Sequence, residues 1–341
     1  MNGPDSPLET RQAVPMPEAL PSSNGTRSNE APLFARRRLT VFLTIAFALT
    51  WGLWLPAGIM LGAFEGGELA APAILIPITI GMFFPLIGAL VANRICAPEG
   101  RIDLGFRPRI GGNVRFYLAA WFAPAAITLL GCVVFFGLNQ QLFDPTGAGY
   151  IAALESAAQT SGVSLTDSLP FGMDIETLAP TLMTATIVTS LLIAPFINAI
   201  PGLGEEVGWR GMLFPTLCEL MPTRAAIIVS GIIWGVWHAP IIAMGHNYGM
   251  DYPGFPWLGI ITMIVACTAM GSCLCYLRIR TVSIWPCALA HGAVNAIANV
   301  GIYYCLAGQT PAGPSPLGCI AGIPLIVLGI VCWLKTKDVR A

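Results

Sequence analysis

All 17 lysines and arginines of this 341-residue chain lie outside its long apolar runs, and they occupy only alternate connecting segments. The apolar runs cover 39–61, 71–93, 116–138, 180–200, 225–245, 257–277, 283–307 and 317–334. Each is close to the ~20 apolar residues that a helix needs to cross a bilayer core. Arg11, Arg27 and Arg36 to Arg38 precede the first run. Arg94, Arg101, Arg107, Arg109 and Arg115 separate the second from the third, Arg210 and Arg224 the fourth from the fifth, and Arg278 and Arg280 the sixth from the seventh. Lys335, Lys337 and Arg340 follow the eighth. The remaining connections hold neither Lys nor Arg, although the one at 139–179 is long and carries Asp144, Glu155, Asp167, Asp174 and Glu176. Basic residues collect in cytoplasmic loops, so the pattern predicts about eight crossings with both termini cytoplasmic.

Composition agrees. With 55% apolar and 10% charged residues, the chain departs from soluble domains, which carry roughly 45–50% and about 25%. The formal net charge of -1 leaves no electrostatic footprint for nucleic acid. The expected fold is an all-α polytopic membrane helix bundle, set in the cell membrane with the lipid bilayer as its solvent. Residues 1–38 read as a disordered cytoplasmic tail, since PMPEALPSSNGTRSNEAP offers too little apolar surface to offset ordering. The first apolar run lacks a small-x-small cleavage site, so a signal peptide is not expected. Residues 39–341 form the bundle, with 139–179 as a long extracytoplasmic loop whose stretch YIAALESAAQ is helix-compatible and whose acids read as a solvated face. Most cysteines fall inside the runs as small buried hydrophobes. Cys305 and Cys319, near the outer ends of adjacent helices, are a candidate disulfide in an oxidising compartment.

Ionisable groups inside a bilayer are costly, about 2.5–3.5 kcal/mol each on insertion scales, and mark functional sites by default. His238 and His291 fall within runs, in WGVWHAP and LAHGAVNA, and Glu205 and Glu206 adjoin the fourth run in PGLGEEVGWRGMLF. His246, in GHNYGMD, reads as a surface residue. Glu206 and Arg210 are four apart with the acid first, the favourable order for a same-face ion pair. Glu205 then lacks that partner, and a carboxylate in a poorly solvated pocket is a candidate general base. His291 and Asn295, also four apart, present an imidazole and a carboxamide on one helix face, both able to donate to an oxyanion. His238, with Trp234 one turn before it, is placed to share an attacking water with Glu205. Singly, each has a plainer explanation: a histidine or asparagine bonding a neighbouring helix, or acids at the start of a short helix. A non-enzymatic transporter or regulatory scaffold, using the same Glu and His groups for protons or a ligand, is the rival reading.

Glu-Glu-x-x-x-Arg at 205–210, aromatic-x-x-x-His at 234–238 and His-x-x-x-Asn at 291–295 follow one another on successive membrane segments. The set resembles the three motifs of the CPBP family of intramembrane proteases, which includes the type II CAAX prenyl endopeptidases and the bacterial Abi proteins. The resemblance covers roughly residues 180–307, the motif-bearing core. The second motif usually begins with Phe, where this chain has Trp234. By resemblance, Glu205 is the catalytic glutamate, His238 its partner in activating water, and His291 with Asn295 the stabilisers of the transition state. Glu206 and Arg210 hold the glutamate segment. The implied partner is a peptide or membrane-protein substrate, lipid-modified or not, cut from the cytoplasmic side or inner leaflet.

Two chemistries fit these residues. Glu205, His238 and His291 supply the two nitrogens and one oxygen of a three-ligand catalytic zinc, in which case Glu206 is the candidate base. A metal-free glutamate mechanism, with no cofactor, makes better sense of Asn295 beside His291. Other intramembrane proteases are excluded: neither helical histidine is followed by the Glu of H-E-x-x-H, every Asp lies in the tail or a loop, and G-x-S-G is absent. Depth is the difficulty, because a fourth helix ending at Ile200 leaves Glu205 near the surface while the histidines lie deep.

Overall fold

The computed structural model of the protein describes residues 27–65, 73–97, 100–160, 162 and 174–338. It is a bundle of helices, the all-α membrane architecture expected, and among the described residues the one extended pairing is a single bridge between Phe143 and Cys305. Five segments are long and apolar enough to cross a membrane: Pro32–Met60, Leu75–Ile95, Val114–Leu138, Ile175–Leu192 and Trp257–Thr281. The chain is thus an integral membrane protein, built from fewer unbroken spans than eight equal runs imply.

The reason is proline. After α1 (Arg27–Met60) and α2 (Leu75–Gly81), helices restart with Pro in their first turn at α3 (Phe84–Ile95). Then come α4 (Val114–Leu138), α5 (Ala148–Thr160) and α6 (Ile175–Leu192). The restart recurs at α7 (Ala194–Glu206) and α8 (Phe214–Leu220), at α10 (Ala239–Ala243) after α9 (Thr223–Trp237), and at α12 (Trp285–Ile297) after α11 (Trp257–Thr281). It recurs again at α14 (Ile323–Lys335), beyond the single turn α13 (Val300–Tyr303). Proline lacks the N–H that a helix interior uses and clashes with the turn before it, so it ends one helix and opens the next. Between α7 and α8 the backbone does not break: Val207–Leu213 forms a π-helical segment.

Hydrogen bonds gather the basic connections at one end. Arg38 is buried and donates to Gly100 O and the Glu219 carboxylate. Arg278 donates to Asp103 O at 2.9 Å, and Arg224 to Leu334 O at 2.7 Å. At the other end Asp144 N donates to Tyr304 O and Leu306 N to Leu142 O, and the Tyr248 hydroxyl donates to Leu317 O at 2.8 Å. No Lys or Arg is found there.

Several expectations are corrected. Residues 1–26 of the expected tail lie outside the described residues, but 27–38 are helical, anchored through Arg38. Asp144 is not a solvated acid: it is buried, and its carboxylate accepts from Thr146 N at 3.0 Å and Ala148 N at 2.7 Å, fixing the start of α5. Asp167 lies outside the described residues. Cys305 and Cys319 are not bridged, and none of the ten cysteines forms a disulfide. Cys305 is buried with Phe135 and Ala321, whereas Cys319 meets the Thr262 hydroxyl at 3.3 Å.

Small residues position the site. A methyl at Gly292 of α12 would lie 2.4 Å from Ala199 N and 2.5 Å from Pro195 O of α7, and one at Gly204 would lie 2.7 Å from Met82 O. Only hydrogen fits between these backbones, so α7 is clamped against α12 on one side and against the α2–α3 junction on the other.

Candidate active site

Glu205 and Glu206 close α7 just where the π-helical segment begins. Their helix does not stop at Ile200. It continues to Leu220, which places both acids mid-way along a buried helical run and removes the difficulty of depth. Glu205 is 2% and Glu206 0% exposed. π-helical turns recur at functional sites, and this one follows directly on the paired acids.

Each acid has its own partners. Glu206 Oε1 accepts from Arg210 Nη1 at 2.9 Å and from His291 Nδ1 at 2.9 Å. Glu205 Oε2 accepts from two indoles, Trp234 Nε1 at 2.8 Å and Trp209 Nε1 at 3.1 Å. Its Oε1 stands 4.0 Å from His291 Nε2, too far for a direct hydrogen bond. Trp234 also lies under the Arg210 guanidinium, 4.1 Å from carbon to ring centre. The expected Glu206–Arg210 pair is present. Beyond the expectation, Glu206 also orients His291, and Glu205 is held rather than free.

The histidine tautomers follow from their acceptors. His238 closes α9, and Pro240 stops the helix there. His238 N donates to Gly235 O, leaving Trp234 O for the imidazole Nδ1 at 2.8 Å. A carbonyl only accepts, so Nδ1 carries the proton and Nε2 keeps its lone pair. His291 Nδ1 faces a carboxylate and is likewise the protonated nitrogen. A proton on its Nε2 makes an imidazolium, and the cluster Glu205, Glu206, Arg210 and His291 then sums to zero charge, as a buried ionic group requires.

Glu205, His238, His291 and Asn295, brought from α7, the α9–α10 junction and α12, line one cavity of about 240 Å³. Glu205 and His291 are buried and His238 is half-buried, while Asn295, on the last turn of α12, is exposed. The cavity extends between Trp54, Met263 and Leu317 towards the end of the bundle that holds no basic residue. His238 closes α9 and Asn295 lies on the last turn of α12, at the ends of those helices away from the arginine connections.

Three residues in or beside this cavity were not expected. His246 is half-buried and, with Asn247, lines the cavity, and desolvation pushes its imidazole down to about 4. Its loop folds inward because Gly245, Asn247 and Gly249 adopt positive φ of 85°, 70° and 68°, a feature no hydropathy pattern carries. Trp209 was hidden among apolar neighbours, although its i,i+4 spacing from Glu205 was a usable signal. As for zinc, no three His, Cys, Asp or Glu side chains among the described residues gather as a metal-holding set. Indole, carbonyl and carboxylate partners engage Glu205 Oε2, His238 Nδ1 and His291 Nδ1.

Residues 185–297 match the family model described as Type II CAAX prenyl endopeptidase Rce1-like. The matched stretch contains every one of the three motifs. Over 53 residues the chain is 36% identical to a protein named CAAX prenyl protease 2 from Methanococcus maripaludis, a stretch that is 16% of this chain and 20% of that relative. The aligned segment spans about a fifth of the relative's length. Motif order, membrane setting and family match agree: over residues 185–297 the chain is similar to the type II CAAX prenyl endopeptidases.

Proposed function

We infer that the protein is an intramembrane endopeptidase that hydrolyses a peptide bond of a membrane-associated peptide, by general-base attack of water and without a metal. The observation that carries this reading is the convergence of Glu205, His238, His291 and Asn295 on one cavity. That cavity has room for a water, which occupies about 30 Å³, beside a stretch of peptide.

Glu205 Oε1 takes a proton from water while the lone pair of His238 Nε2 holds the same molecule, and the water oxygen adds to the carbonyl carbon. Negative charge moves to the carbonyl oxygen, where His291 Nε2–H, as imidazolium, and the Asn295 carboxamide donate to it. The C–N bond breaks, and Glu205 returns its proton to the leaving amine. Glu206 holds His291 through Nδ1, and the two indoles keep Glu205 Oε2 occupied so that Oε1 is the oxygen presented to water. CAAX-type substrates remain one class within this reading, since nothing in the site requires a prenyl group.

The test uses purified full-length protein in liposomes with an internally quenched peptide library. Cleavage is expected, Glu205→Gln is expected to reduce kcat by about 100-fold or more, and a chelator is expected to leave the rate unchanged. A chelator-sensitive rate restored by zinc overturns the metal-free mechanism. Proton-dependent flux without cleavage, lost in Glu205→Gln, overturns the enzyme reading altogether.

A further inference from the structure

The reaction proposed above uses the floor of the cavity and leaves its mouth without a role. There His246 and Asn247, from the loop after α10, share the cavity with Asn299, from the turn between α12 and α13. The loop is held in shape by its three left-handed residues, by Gly249 N donating to Gly245 O at 2.8 Å, and by the buried Tyr248, whose hydroxyl donates to Leu317 O. Asn299 stands at the N-cap of α13 yet makes no cap hydrogen bond, although asparagine there ordinarily bonds a free amide of the first turn. Asn295 and Asn299, one turn apart, continue the line of His291 outward, as the i,i+4 spacing dictates.

These groups are neutral. Carboxamides do not ionise, and half-buried His246 is uncharged near pH 7 because its imidazole is pushed down to about 4. No Lys or Arg occurs anywhere in 39–93, 116–209, 225–277 or 281–334, so this end of the molecule has no fixed cation to receive a chain-terminal carboxylate. Exposed Glu65 and Asp251 add only negative charge there. The cations at the floor, Arg210 and the His291 imidazolium, are already paired with Glu206. Neutral groups that both donate and accept, fixed at set spacings, match the alternating N–H and C=O of a peptide main chain.

Resting on the peptidase reading, we propose that His246, Asn247 and Asn299 form a main-chain subsite holding an internal, uncharged stretch of the substrate. The enzyme therefore cuts a chain that passes across the cavity and does not use a terminal carboxylate as its anchor. His246, Asn247 and Asn299 act as positioning residues, with the chemistry left to the floor.

Two quenched peptides of one sequence, ending in a free carboxylate or in an amide, test this on full-length protein in liposomes. The amide is expected to match the acid in kcat/KM within about threefold, and a loss of about tenfold or more on amidation overturns the proposal. Asn299→Ala and His246→Ala each remove one neutral hydrogen bond and are expected to raise KM about 3- to 10-fold while changing kcat less than about twofold. An unchanged KM overturns the assignment. Anisotropy of the labelled amide peptide on Glu205→Gln protein gives a readout independent of turnover: adding Asn299→Ala is expected to weaken binding about 3- to 10-fold, and unaltered binding overturns the subsite. If the unsubstituted protein cleaves neither peptide, the peptidase reading fails, while this binding comparison still decides the mouth.

Discussion

Trp234 performs three tasks at once: it donates to Glu205, lies under Arg210, and meets the His291 ring edge-on at 5.4 Å. Phenylalanine, the usual residue at this place in the motif, keeps the ring contacts but offers no N–H. Trp234→Phe is therefore expected to fold and to lose about 10-fold in kcat/KM, the worth of a hydrogen bond to a charged group, with Trp209 alone left to hold Oε2. Steady-state rates on a quenched peptide check it. Glu206 carries a different load, since its charge balances buried Arg210. Glu206→Gln leaves that guanidinium uncompensated and is expected to cost about 3–5 kcal/mol of stability, seen as a lowered unfolding temperature in detergent. At this scale much of the site was legible, because Glu205, Glu206, Arg210, His238 and His291 are conspicuous where charge is expensive. Trp209 and His246 were not: an indole N–H is invisible in an apolar run, and His246 reaches the cavity only through the left-handed turn around it.

The elements show why counting apolar runs falls short. Hydropathy marks what is apolar and says little about where a helix breaks, so the run at 71–93 became α2 and α3, and the run at 283–307 became α12 and α13. Pro85 was in plain view and would have placed the restart at α3, whereas no proline marks the start of α13. In the other direction, the fourth run was read as ending near Ile200, because the acids and glycines after it resemble a loop. Packing overrode that local signal: α7 runs on through 201–206 since Gly202, Gly204 and Gly208 let α12, Met82 and Pro85 come within contact of its backbone. Gly292→Ala tests the clamp. Its methyl would meet main-chain atoms at 2.4 and 2.5 Å, which cannot rotate aside, so the expected result is a loss of about 3 kcal/mol or more and a poor yield of monodisperse protein on size exclusion.

For the whole molecule, the charge asymmetry read from sequence survives in three dimensions, with the arginine connections tied together at one end and the cavity leading to the other. By the bias of basic residues towards the cytoplasm, the cavity is expected to face the opposite compartment. A membrane-impermeant thiol reagent added to intact cells is expected to label Asp251→Cys and not Arg280→Cys, in a background where exposed Cys319 is replaced by Ser. The reverse pattern would show the bundle inserted the other way. Architecture and charge bias were thus visible beforehand, but the direction of the cavity was not, since it depends on which halves of α9, α11 and α12 hold the polar groups. The tether from Tyr248 to Leu317 has one last consequence. On the peptidase reading, a rim fastened across so narrow a chamber is expected to admit a single extended strand and turn away any folded body, so that the vulnerability of a client is set by how readily its backbone locally unravels, more than by the letters spelled along it.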